Sequence, residues 1–570
     1  MQKRWVIRRH DHGAAGMLAA KLGVSPLVAA LLIARGHDTE EKANTFLNPS
    51  LGHLHEPFLL KDLEPAVKRV QKAIDDGEKI LIWGDYDVDG TTGTTLLRRA
   101  IKILGGMTSF HIPDRFTEGY GVNIPALERA LLDGVSLVIT VDCGIRSFGP
   151  LEWAAAKGLD IIVTDHHLSD EVRGNPPALA VVNPNQPGCP YPDKELAGVG
   201  VAFKLAHALL RQNQKEHLVP AFLKIAAIGT VADVMQLAGE NRAIVALGLR
   251  DLPHTSNYGL KALMEVADCR AEMTSYHIGF RIGPRINAAG RMDLARQVVE
   301  LFETESFEEA RGLASALDAR NRERQRVQQE ITERALSAIS EQPDSRFIVV
   351  AGEGWHRGVI GLAASRIAER LDRPTIVLST QNGLAHGSAR TVRDLHLLKA
   401  LESCGDVFEQ FGGHAAAAGL TMRTENIDRL RTLLNRYCES IGSGPDDSPV
   451  LAIDALVSSR SMTLALVDEL SVFEPFGAGN PKPVFVTKGL IMREEPFVMK
   501  EKHLKFWLED DDRKRFEAVW WDGVERSAGQ TLTPGSRIEV AYTPEANVWQ
   551  GNTRLQLVVQ DMRADNQQSG

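Results

Sequence analysis

Residues 80–90 read ILIWGDYDVDG, a short apolar run that leads directly into a series of aspartates. The arrangement recurs where LVITV (137–141) leads into DCG and where IIVT (161–164) leads into DHH. Short runs rich in Val and Ile are typical of parallel strands that are buried on both faces. Because the loops at the carboxyl ends of such strands converge on one crevice, several carboxylates and an imidazole should share a single cleft. Their mutual repulsion indicates a divalent-metal site.

Length and composition describe an ordinary globular protein with several domains. The 570 residues are too many for one core, and 44% are hydrophobic and 24% charged. We expect no membrane association, because no apolar run reaches membrane-spanning length and the amino terminus lacks a secretory pattern. Five widely spaced cysteines predict neither a zinc site nor a disulfide framework, so a reducing cytoplasm is the simplest setting. The net charge of -9 argues against coating nucleic acid by bulk electrostatics, although a local basic groove stays compatible with it.

Changes of pattern along the chain predict five segments. Strands alternate with amphipathic helices first, and a later helical pattern loses its apolar stripe in the run RNRERQR (320–326), as a bridge between domains does. The run GSGP (442–445) reads as a linker before a set of short strands. The predicted segments are an N-terminal extension (1–60), an α/β domain (61–305), a connecting helix (306–342), a second α/β domain (343–442) and a small β-barrel (446–565).

The first acidic run has two alternative explanations. Asp85, Asp87, Asp89 and Gly90 match the opening of an EF-hand calcium loop, but loop position twelve is Leu96 where the EF-hand requires glutamate. The other alternative is a solvated acidic turn. The residues from Thr91 onward look like the start of a tightly packed helix, which disfavours that turn.

Each remaining acidic signal is weak alone. Asp142 could cap a helix, the tripeptide 165–167 could form a turn, and Asp233, within an apolar segment, could be held by a salt bridge. Together they favour a metal site. Oxygen ligands with one or two imidazoles suit manganese or magnesium rather than structural zinc.

The order Asp-x-Asp, Asp, Asp-His-His, Asp resembles the DHH phosphoesterase superfamily. Four later motifs look like the RecJ family of bacterial single-strand DNA exonucleases, in the same order and over nearly the whole chain. These motifs are GPRINAAGR (283–291), GWHRGVIG (354–361), FGGHAAAAG (411–419) and EPFGAGNP (474–481). The resemblance implies an α/β fold class: a DHH domain with a parallel sheet and a DHH-associated domain, joined by a long helix, plus a C-terminal β-barrel OB-fold.

The resemblance also assigns roles to residues of the cluster. It implies two divalent cations, Mn2+ or Mg2+, with Asp85 and His167 beside them or on the scissile phosphate. At residue 83, where some superfamily members carry a histidine, this chain has Trp83, which cannot ligate a metal. The implied metal ligands are Asp87, Asp89, Asp142, His166 and Asp233.

Candidate substrate-binding residues lie mainly in the second α/β domain. Ser388 and Arg390 place a hydroxyl and a guanidinium two residues apart, which suits a terminal phosphate. Gly412, Gly413 and His414 resemble a helix start that cradles phosphate through backbone N–H groups. A tight turn with a surface arginine is the alternative for each, and ordinary ion pairs are the alternative for the arginines. The candidates are Arg115, Arg285, Arg291, His356, Ser388, Arg390 and His414.

Two further regions are weaker candidates for contact with nucleic acid. Arginines of the connecting helix could track phosphates, although interspersed glutamates make a solvated helix equally plausible. Aromatic residues among lysines in the last segment fit base stacking, although many of them must fill the core of the barrel. The residues concerned are Arg320, Arg322, Arg324 and Arg326, then Phe506, Trp507, Trp520, Trp521 and Trp549.

Residue spacing alone predicts a metal-dependent phosphohydrolase, since two cations can activate water and clamp phosphoryl oxygens. The resemblance implies 5′-to-3′ hydrolysis of single-stranded DNA to 5′-mononucleotides, in repair and recombination. It also implies a cytoplasmic monomer that works with a single-strand DNA-binding protein and a RecQ-type helicase. The rival functions are a phosphodiesterase for short RNA or cyclic dinucleotides and a non-catalytic DNA-binding replication scaffold.

Overall fold

The computed structural model describes residues 3–115, 117–269, 272–291, 295–339, 345–392, 395–441, 450–527 and 533–565. The predicted linker at 442–445 lies outside the described residues, as do the segment bounds at 342–343 and at 442–446. These bounds stay predictions.

The N-terminal segment consists of one strand and three short helices. Side chains of Asp11, Ser25 and Thr39 accept hydrogen bonds from the first backbone amides of the helices and so fix their starts. In the described parts of the chain no single helix has the length and composition of a membrane span; helices α1 and α2 pass that test only as a pair bent by 111°. The elements are β1 (Arg4–Ile7), α1 (His12–Leu22), α2 (Pro26–Ala34) and α3 (Glu40–Leu47).

The predicted parallel sheet is confirmed. Its elements are α4 (Leu63–Asp75), β2 (Lys79–Gly84), α5 (Val88–Ile103), β3 (Met107–His111), α6 (Ile124–Leu132), β4 (Val135–Val141), α7 (Phe148–Ala156), β5 (Asp160–Thr164) and β6 (Ala180–Val182). The strand order is β3-β2-β4-β5-β6, and every pair is parallel. Ile80 and Ile82 of β2 pack into one hydrophobic cluster while Leu81 and Trp83 pack into another. Both faces of the sheet are therefore covered, which explains the continuous apolar runs.

A helical layer follows the sheet. It comprises α8 (Gly198–Gln212), α9 (Val219–Ala232), α10 (Gly239–Asp251), α11 (Tyr258–Val266), the single turn α12 (Ser275–His277), α13 (Gly283–Arg291) and α14 (Ala295–Glu303). Helices α8 and α9 pack against α5, so the loops that begin α8 and end α9 lie beside the carboxyl ends of the strands.

The bridging helix is confirmed as α15 (Phe307–Ile339), whose 33 residues span about 50 Å. Its first half buries Ala310, Ala314 and Leu317 in the core of the first domain. Its second half buries Ile331 and Ala335 against the next domain. Between Leu317 and Ile331 the helix buries only the polar residues Asp318 and Asn321, which explains why the apolar stripe weakens midway.

The second α/β domain carries a mixed sheet. Its elements are β7 (Ile348–Glu353), α16 (Ile360–Leu371), β8 (Thr375–Gln381), β9 (Leu384–Arg390), α17 (Leu397–Glu402), β10 (Phe408–Gly413), β11 (Ala417–Arg423) and α18 (Ile427–Ser440). The strand order is β10-β11-β9-β8-β7, and only β7 and β8 pair in parallel.

The predicted helix start at Gly412, Gly413 and His414 is wrong. Gly412 and Gly413 end β10, and His414 opens the turn into β11. Gly413 has a φ of 149° and lies so close to Ala417 and Ala418 that a Cβ there would clash. The small residues permit this tight hairpin, and their lack of β-branching hides the strands from sequence reasoning.

The C-terminal segment forms a set of mostly antiparallel strands, of which the last two have 13 residues each. Its elements are β12 (Val450–Ile453), β13 (Ala455–Leu456), α19 (Leu464–Leu470), β14 (Phe485–Met492), β15 (Phe497–Met499), β16 (His503–Glu509), β17 (Arg515–Trp520), α20 (Gly523–Arg526), β18 (Arg537–Trp549) and β19 (Asn552–Ala564). Pairings run β14-β18-β19-β17-β16, and β16 pairs again with β14, so these five strands form a closed ring of pairings.

The two ends of the chain share one hydrophobic core. Strand β1 pairs in parallel with β12, and the Trp5 indole N–H donates to Asp561 over 2.8 Å. Buried residues of α1–α3, including Leu31 and Phe46, belong to the same cluster as the interior of the C-terminal strands. Phe473 lies at this junction, fully buried, with its ring 5.8 Å from that of Phe46.

The substitution Phe473→Ala should destabilise this shared core. Truncation of a buried phenylalanine costs about 3–5 kcal/mol through lost burial and the cavity that remains. Denaturant unfolding, followed by tryptophan fluorescence of the C-terminal strands, measures the change. Phe497→Ala is the control, because Phe497 is 68% exposed and its loss should leave the transition unchanged. Equal midpoints for the two variants would contradict the shared core.

Candidate metal centre and substrate surface

The carboxyl ends of β2, β4 and β5 bring the predicted acidic residues together. Asp85, Asp87 and Asp89 follow β2, Asp142 follows β4, and His166 and His167 follow β5. Asp233 joins them from the C-terminal end of α9. Three overlapping groups each place their ligand atoms within 4.8 Å of one another. The groups are Asp142-His166-His167, Asp89-His166-Asp233 and Asp85-Asp87-Asp142.

Helix α5 starts inside the cluster. Asp87 is its N-cap and accepts a hydrogen bond from the Gly90 backbone N–H over 3.0 Å. The carboxylate of Asp89 accepts hydrogen bonds from the backbone N–H groups of Gly198 (2.6 Å) and Val199 (2.8 Å), which open α8. The positive end of α8 therefore orients Asp89. Residue 198 must be glycine, since a Cβ there would lie 2.6 Å from the Cβ of Asp142.

Asp142 and His166 form the centre of the cluster. Asp142 adopts a φ of 61°, a left-handed conformation that aspartate tolerates better than most residues. The Nε2 atom of His166 lies 3.2 Å from Asp142 Oδ1, 3.6 Å from Asp233 Oδ2 and 3.9 Å from Asp89 Oδ2. Among the described residues, buried Oδ1 atoms of Asp85 and Asp142 receive no hydrogen bond. Buried acceptors without donors, facing a ring nitrogen, are the ligand set that a divalent cation requires.

The electrostatics of the cluster favour the same conclusion. Burial, and then the neighbouring carboxylates, raise the pKa of Asp85, Asp89 and Asp142 well above the usual range and that of Asp233 to about 7. Burial, and then His167, lower the pKa of His166 to about 4. His166 is therefore neutral at physiological pH, the form in which imidazole binds metals. Bound cations would ionise the carboxylates.

Asp165 orients the histidines. Its carboxylate accepts hydrogen bonds from the backbone N–H of Ile145 (3.0 Å), from the backbone N–H of His167 (3.1 Å) and from His167 Nδ1 (2.8 Å). Burial opposes its ionisation, but these hydrogen bonds and the charge of His167 hold the pKa of Asp165 below its usual value. Asp165 therefore fixes the orientation of the His167 ring.

Sequence reasoning missed several supporting residues. The side-chain amides of Asn183 and Asn185 donate to the backbone carbonyls of His167 (2.8 Å) and His166 (2.7 Å). Both asparagines come just after β6, as the aspartates come just after their strands. A search for polar residues at the carboxyl ends of the strands would therefore have found them too. Asp165 was named only as part of the tripeptide, and the amides of α8 carry no sequence signal.

A cluster of four guanidinium groups adjoins the acidic cluster through Arg115, whose charge acts on the pKa of Asp85 against the effect of burial. Arg291 is mostly buried and donates to the Gly358 carbonyl over 2.8 Å. Burial, and then the charges of Arg115, Arg324 and Arg390, lower the pKa of Arg291 to about 10. Within the described parts of the chain, these four arginines form no salt bridge with a carboxylate at 4.0 Å or less. Arg115 also stacks over the ring of Tyr86, between the two clusters, at 5.1 Å.

Ser388 and Arg390 lie on β9 beside the start of α16. The guanidinium of Arg390 donates to the hydroxyl of Ser388 over 2.9 Å. A Cβ added at Gly361, in the first turn of α16, would lie 2.9 Å from that hydroxyl and 3.0 Å from Arg390 Nη2. A helix N-terminus, a hydroxyl and a guanidinium therefore meet at one point, which is an arrangement suited to an anion.

Other predicted substrate residues have structural partners. Arg285 pairs with Asp318 at 2.9 Å, so the ion-pair alternative describes it. His356 Nδ1 accepts a hydrogen bond from the Gly358 backbone N–H at 3.2 Å. His414, by contrast, is exposed in the turn between β10 and β11.

The weaker nucleic-acid candidates divide in the same way. On α15, Arg322 and Arg326 pair with Asp318 and Glu323, whereas Arg324 contributes to the guanidinium cluster. Phe506 and Trp520 fill the C-terminal core, whereas Trp521 and Trp549 are 49% and 72% exposed.

The cluster predicts a pH dependence for metal-free protein. Asp233 ionises near pH 4 when unfolded but near pH 7 when folded, so its contribution to stability declines as the pH rises through this window. The lowered pKa of His166 makes stability rise with pH instead. This effect is confined to the range below about pH 6.5, its unfolded pKa. Above about pH 6.5 His166 no longer offsets the decline due to Asp233, so the melting temperature in chelator should fall from there until Asp233 is ionised, just above pH 7. Excess Mn2+ should remove the fall, and Asp233→Asn should reduce it. A flat profile in chelator would contradict the cluster's electrostatics.

Comparison with known proteins agrees with this geometry. Family models match for the DHH family N-terminal domain (79–230), the DHHA1 domain (344–440) and the RecJ OB domain (453–561). These matches confirm the predicted DHH, DHH-associated and OB-fold domains.

Three relatives illustrate the similarity. The single-stranded-DNA-specific exonuclease RecJ of Bacillus subtilis is 38% identical over 98% of this chain and 70% of its own length. That of Escherichia coli is 32% identical over 99% of this chain and 100% of its own. The crystal structure of RecJ in complex with Mn2+ from Thermus thermophilus superposes with a TM-score of 0.84 and 31% identity, covering 98% of this chain and 79% of that one. The chain therefore belongs to the RecJ family.

Proposed function

We propose that this protein is a metal-dependent exonuclease that degrades single-stranded DNA from its 5′ end and releases 5′-mononucleotides. The observation that carries the proposal is that two like-charged clusters, one of carboxylates and one of guanidinium groups, lie next to each other. A phosphodiester with divalent cations neutralises both at once. The relatives named above are single-stranded-DNA-specific exonucleases, and one is a complex with Mn2+.

The proposed metal ligands are Asp87, Asp89, Asp142, His166 and Asp233. A pair of Mn2+ or Mg2+ ions, when bound, would lower the pKa of a water molecule and stabilise charge on the phosphoryl oxygens. Asp89 is oriented by the amides that open α8, and His166 is held by the Asn185 side chain through its backbone carbonyl.

Asp85 and His167 flank the proposed ligands. Asp165 accepts from His167 Nδ1, so the opposite edge of that ring points away from Asp165. Because this interaction raises the pKa of His167 against the effect of burial, His167 can donate a proton or a charged hydrogen bond to the scissile phosphate. We assign His167 to that role, with Asp165 as its support.

The guanidinium cluster is the proposed site for the 5′-terminal phosphate. A terminal phosphate carries up to two negative charges where an internal diester carries one, so clustered cations discriminate the end of a strand from its interior. Arg390, Ser388 and the start of α16 would contact this group, with Arg115 and Arg291 on its other side. Holding the 5′ end there while cleavage occurs at the acidic cluster gives the reaction its direction.

Binding of the remaining strand is assigned to the C-terminal domain. Exposed Trp521 and Trp549 offer flat apolar surfaces for sequence-tolerant stacking of bases. On the basis of the family, we further propose that the enzyme is a cytoplasmic monomer that acts in repair and recombination. Its proposed protein partners are a single-strand DNA-binding protein and a RecQ-type helicase.

The rival functions have less support. A non-catalytic scaffold has no need of metal ligands, whereas every proposed ligand position here carries a carboxylate or an imidazole. A phosphodiesterase for short RNA or cyclic dinucleotides has no need of an OB domain, whereas that family matches residues 453–561.

The substitution Asp142→Ala should abolish hydrolysis and leave strand binding intact. It removes charge from the metal cluster but none from the guanidinium cluster, so release of mononucleotides should fall at least about a hundredfold. Fluorescence anisotropy of a labelled single strand in chelator measures binding separately. Asp133→Ala, an exposed carboxylate at the end of α6, is the control. Equal loss of binding and hydrolysis would argue against a metal role.

The substitution Arg390→Ala should impair use of 5′-phosphorylated ends by at least about tenfold, because hydrogen bonds to charged groups contribute roughly 1.5–3 kcal/mol. Strands with a 5′-hydroxyl should be affected much less. The measurement compares kcat/KM for otherwise identical strands that differ only at the 5′ end. Arg366→Ala removes an exposed arginine from the same domain and should leave both substrates unchanged. Equal losses on both ends would exclude a terminal-phosphate role.

A further inference from the structure

The motif EPFGAGNP (474–481) has no role in the proposed chemistry, yet it packs against the metal-binding domain. It precedes β14 and belongs to the C-terminal part of the chain. Gly477 and Asn480 close it into a tight turn, since each donates its backbone N–H to the carbonyl of the other, over 2.9 and 3.1 Å. This turn lies on residues 236 and 237, three and four positions after Asp233.

Asp233 lies in a loop whose conformation requires outside support. Helix α9 ends at Ala232, and Val234 then adopts a φ of 58° while 71% exposed. Valine rarely adopts this left-handed conformation, because its branched side chain crowds the backbone. Such a conformation persists only where surrounding contacts determine it.

The turn supplies contacts directly after that strained residue. The backbone N–H of Leu237 donates to the carbonyl of Ala478 over 2.8 Å. The side chain of Leu237 is 1% exposed, and a Cβ at Gly477 would lie 2.7 Å from its Cδ1 atom. Gly479, with a φ of 72°, also brings its backbone close to Gln236, since a Cβ there would lie 3.3 Å from the Cβ of Gln236. Residues 236 and 237 therefore have little freedom to move.

The turn itself is anchored by Arg242 of α10, which is 3% exposed. Its guanidinium donates to the backbone carbonyls of Phe46 (2.8 Å), Phe473 (3.1 Å) and Glu474 (2.8 Å). Asn480, also buried, donates to the carbonyls of Phe473 (2.7 Å) and Pro475 (2.9 Å). The stretch from Asp233 to Arg242 is thus held by the C-terminal segment at its middle and at its far end.

We propose that the Gly477–Asn480 turn is a positioning element for Asp233, and that Gly477 and Leu237 are its point of contact. By holding residues 236 and 237, the turn keeps the Asp233 carboxylate 3.6 Å from His166 Nε2. The inference rests on the proposed function in one respect, the assignment of Asp233 as a metal ligand. The turn thereby makes metal affinity depend on a part of the chain remote from the cluster in sequence.

The test is the substitution Gly477→Ala, read out as metal binding. The added methyl group should displace Leu237 and weaken binding of Mn2+ by about tenfold, as loss of a supporting contact to a ligand does. Electron paramagnetic resonance titration of free Mn2+ measures this without any nuclease assay. Anisotropy of a labelled single strand in chelator should be unchanged. Gly16→Ala, on an exposed and open face of α1, is the matched control and should bind Mn2+ normally.

A compensating change separates positioning from general damage. Leu237→Val in the Gly477→Ala background removes the atom that the methyl group meets, and Mn2+ affinity should recover by several-fold. If the Gly477→Ala protein does not fold, Leu237→Ala replaces it, since loss of the contact from the other side should weaken Mn2+ binding equally.

Unchanged Mn2+ affinity in a folded single variant would overturn the inference, as would failure of Leu237→Val to restore it. Failure of the proposed function looks different. Wild-type protein that binds Mn2+ but leaves single strands uncut would sink the nuclease assignment, while a shift in Mn2+ affinity in the variant would still support the positioning role.

Discussion

Repulsion between buried like charges is the constraint on which the rest of the structure depends. Four carboxylates with raised pKa values gather at one site, three of them around His166, and four guanidinium groups collect next to them. Neither cluster is stable by itself at low dielectric. Divalent cations would neutralise the first, and in the proposed function a phosphate would neutralise the second, so that a bound phosphodiester would join the two. The free protein therefore carries the electrostatic cost, and the ligands remove it.

The fold provides the rigidity that this imbalance demands. Parallel strands deliver the carboxylates to one edge of a sheet whose faces are fully covered, and α8 aims its first amides at Asp89. The other cluster draws on both α/β domains and on α15, whose two halves are each buried in a different core. Because α15 is held by both cores, the positions of Arg324 and Arg390 are set by packing rather than by the charges themselves.

Sequence reasoning reached the parts of this site that are local in the chain. The apolar runs before Asp85, Asp142 and Asp165 predict strands, and parallel topology then predicts that their ends meet. Sequence reasoning failed where contacts between distant parts of the chain determine the local structure. The small residues around Gly412 hide a hairpin, and the pairing of β1 with β12 joins opposite ends of the chain, where local patterns carry no information. Whether an arginine binds a ligand or a neighbour is likewise a property of the folded state.

The arginines illustrate how the fold settles that last question. Arg285 has a carboxylate partner, and Arg242 has five backbone carbonyls and the ring of Phe46 at 3.6 Å. The backbone carbonyls around Arg242 accept its hydrogen bonds, so no anion is needed to explain its burial. Among the residues that the structure describes, Arg390 donates to Ser388 and to a single carbonyl, and the charges near it are those of Arg115 and Arg291. A buried guanidinium whose donors are satisfied belongs to the architecture, whereas one that lies among like charges with donors to spare is placed for a ligand.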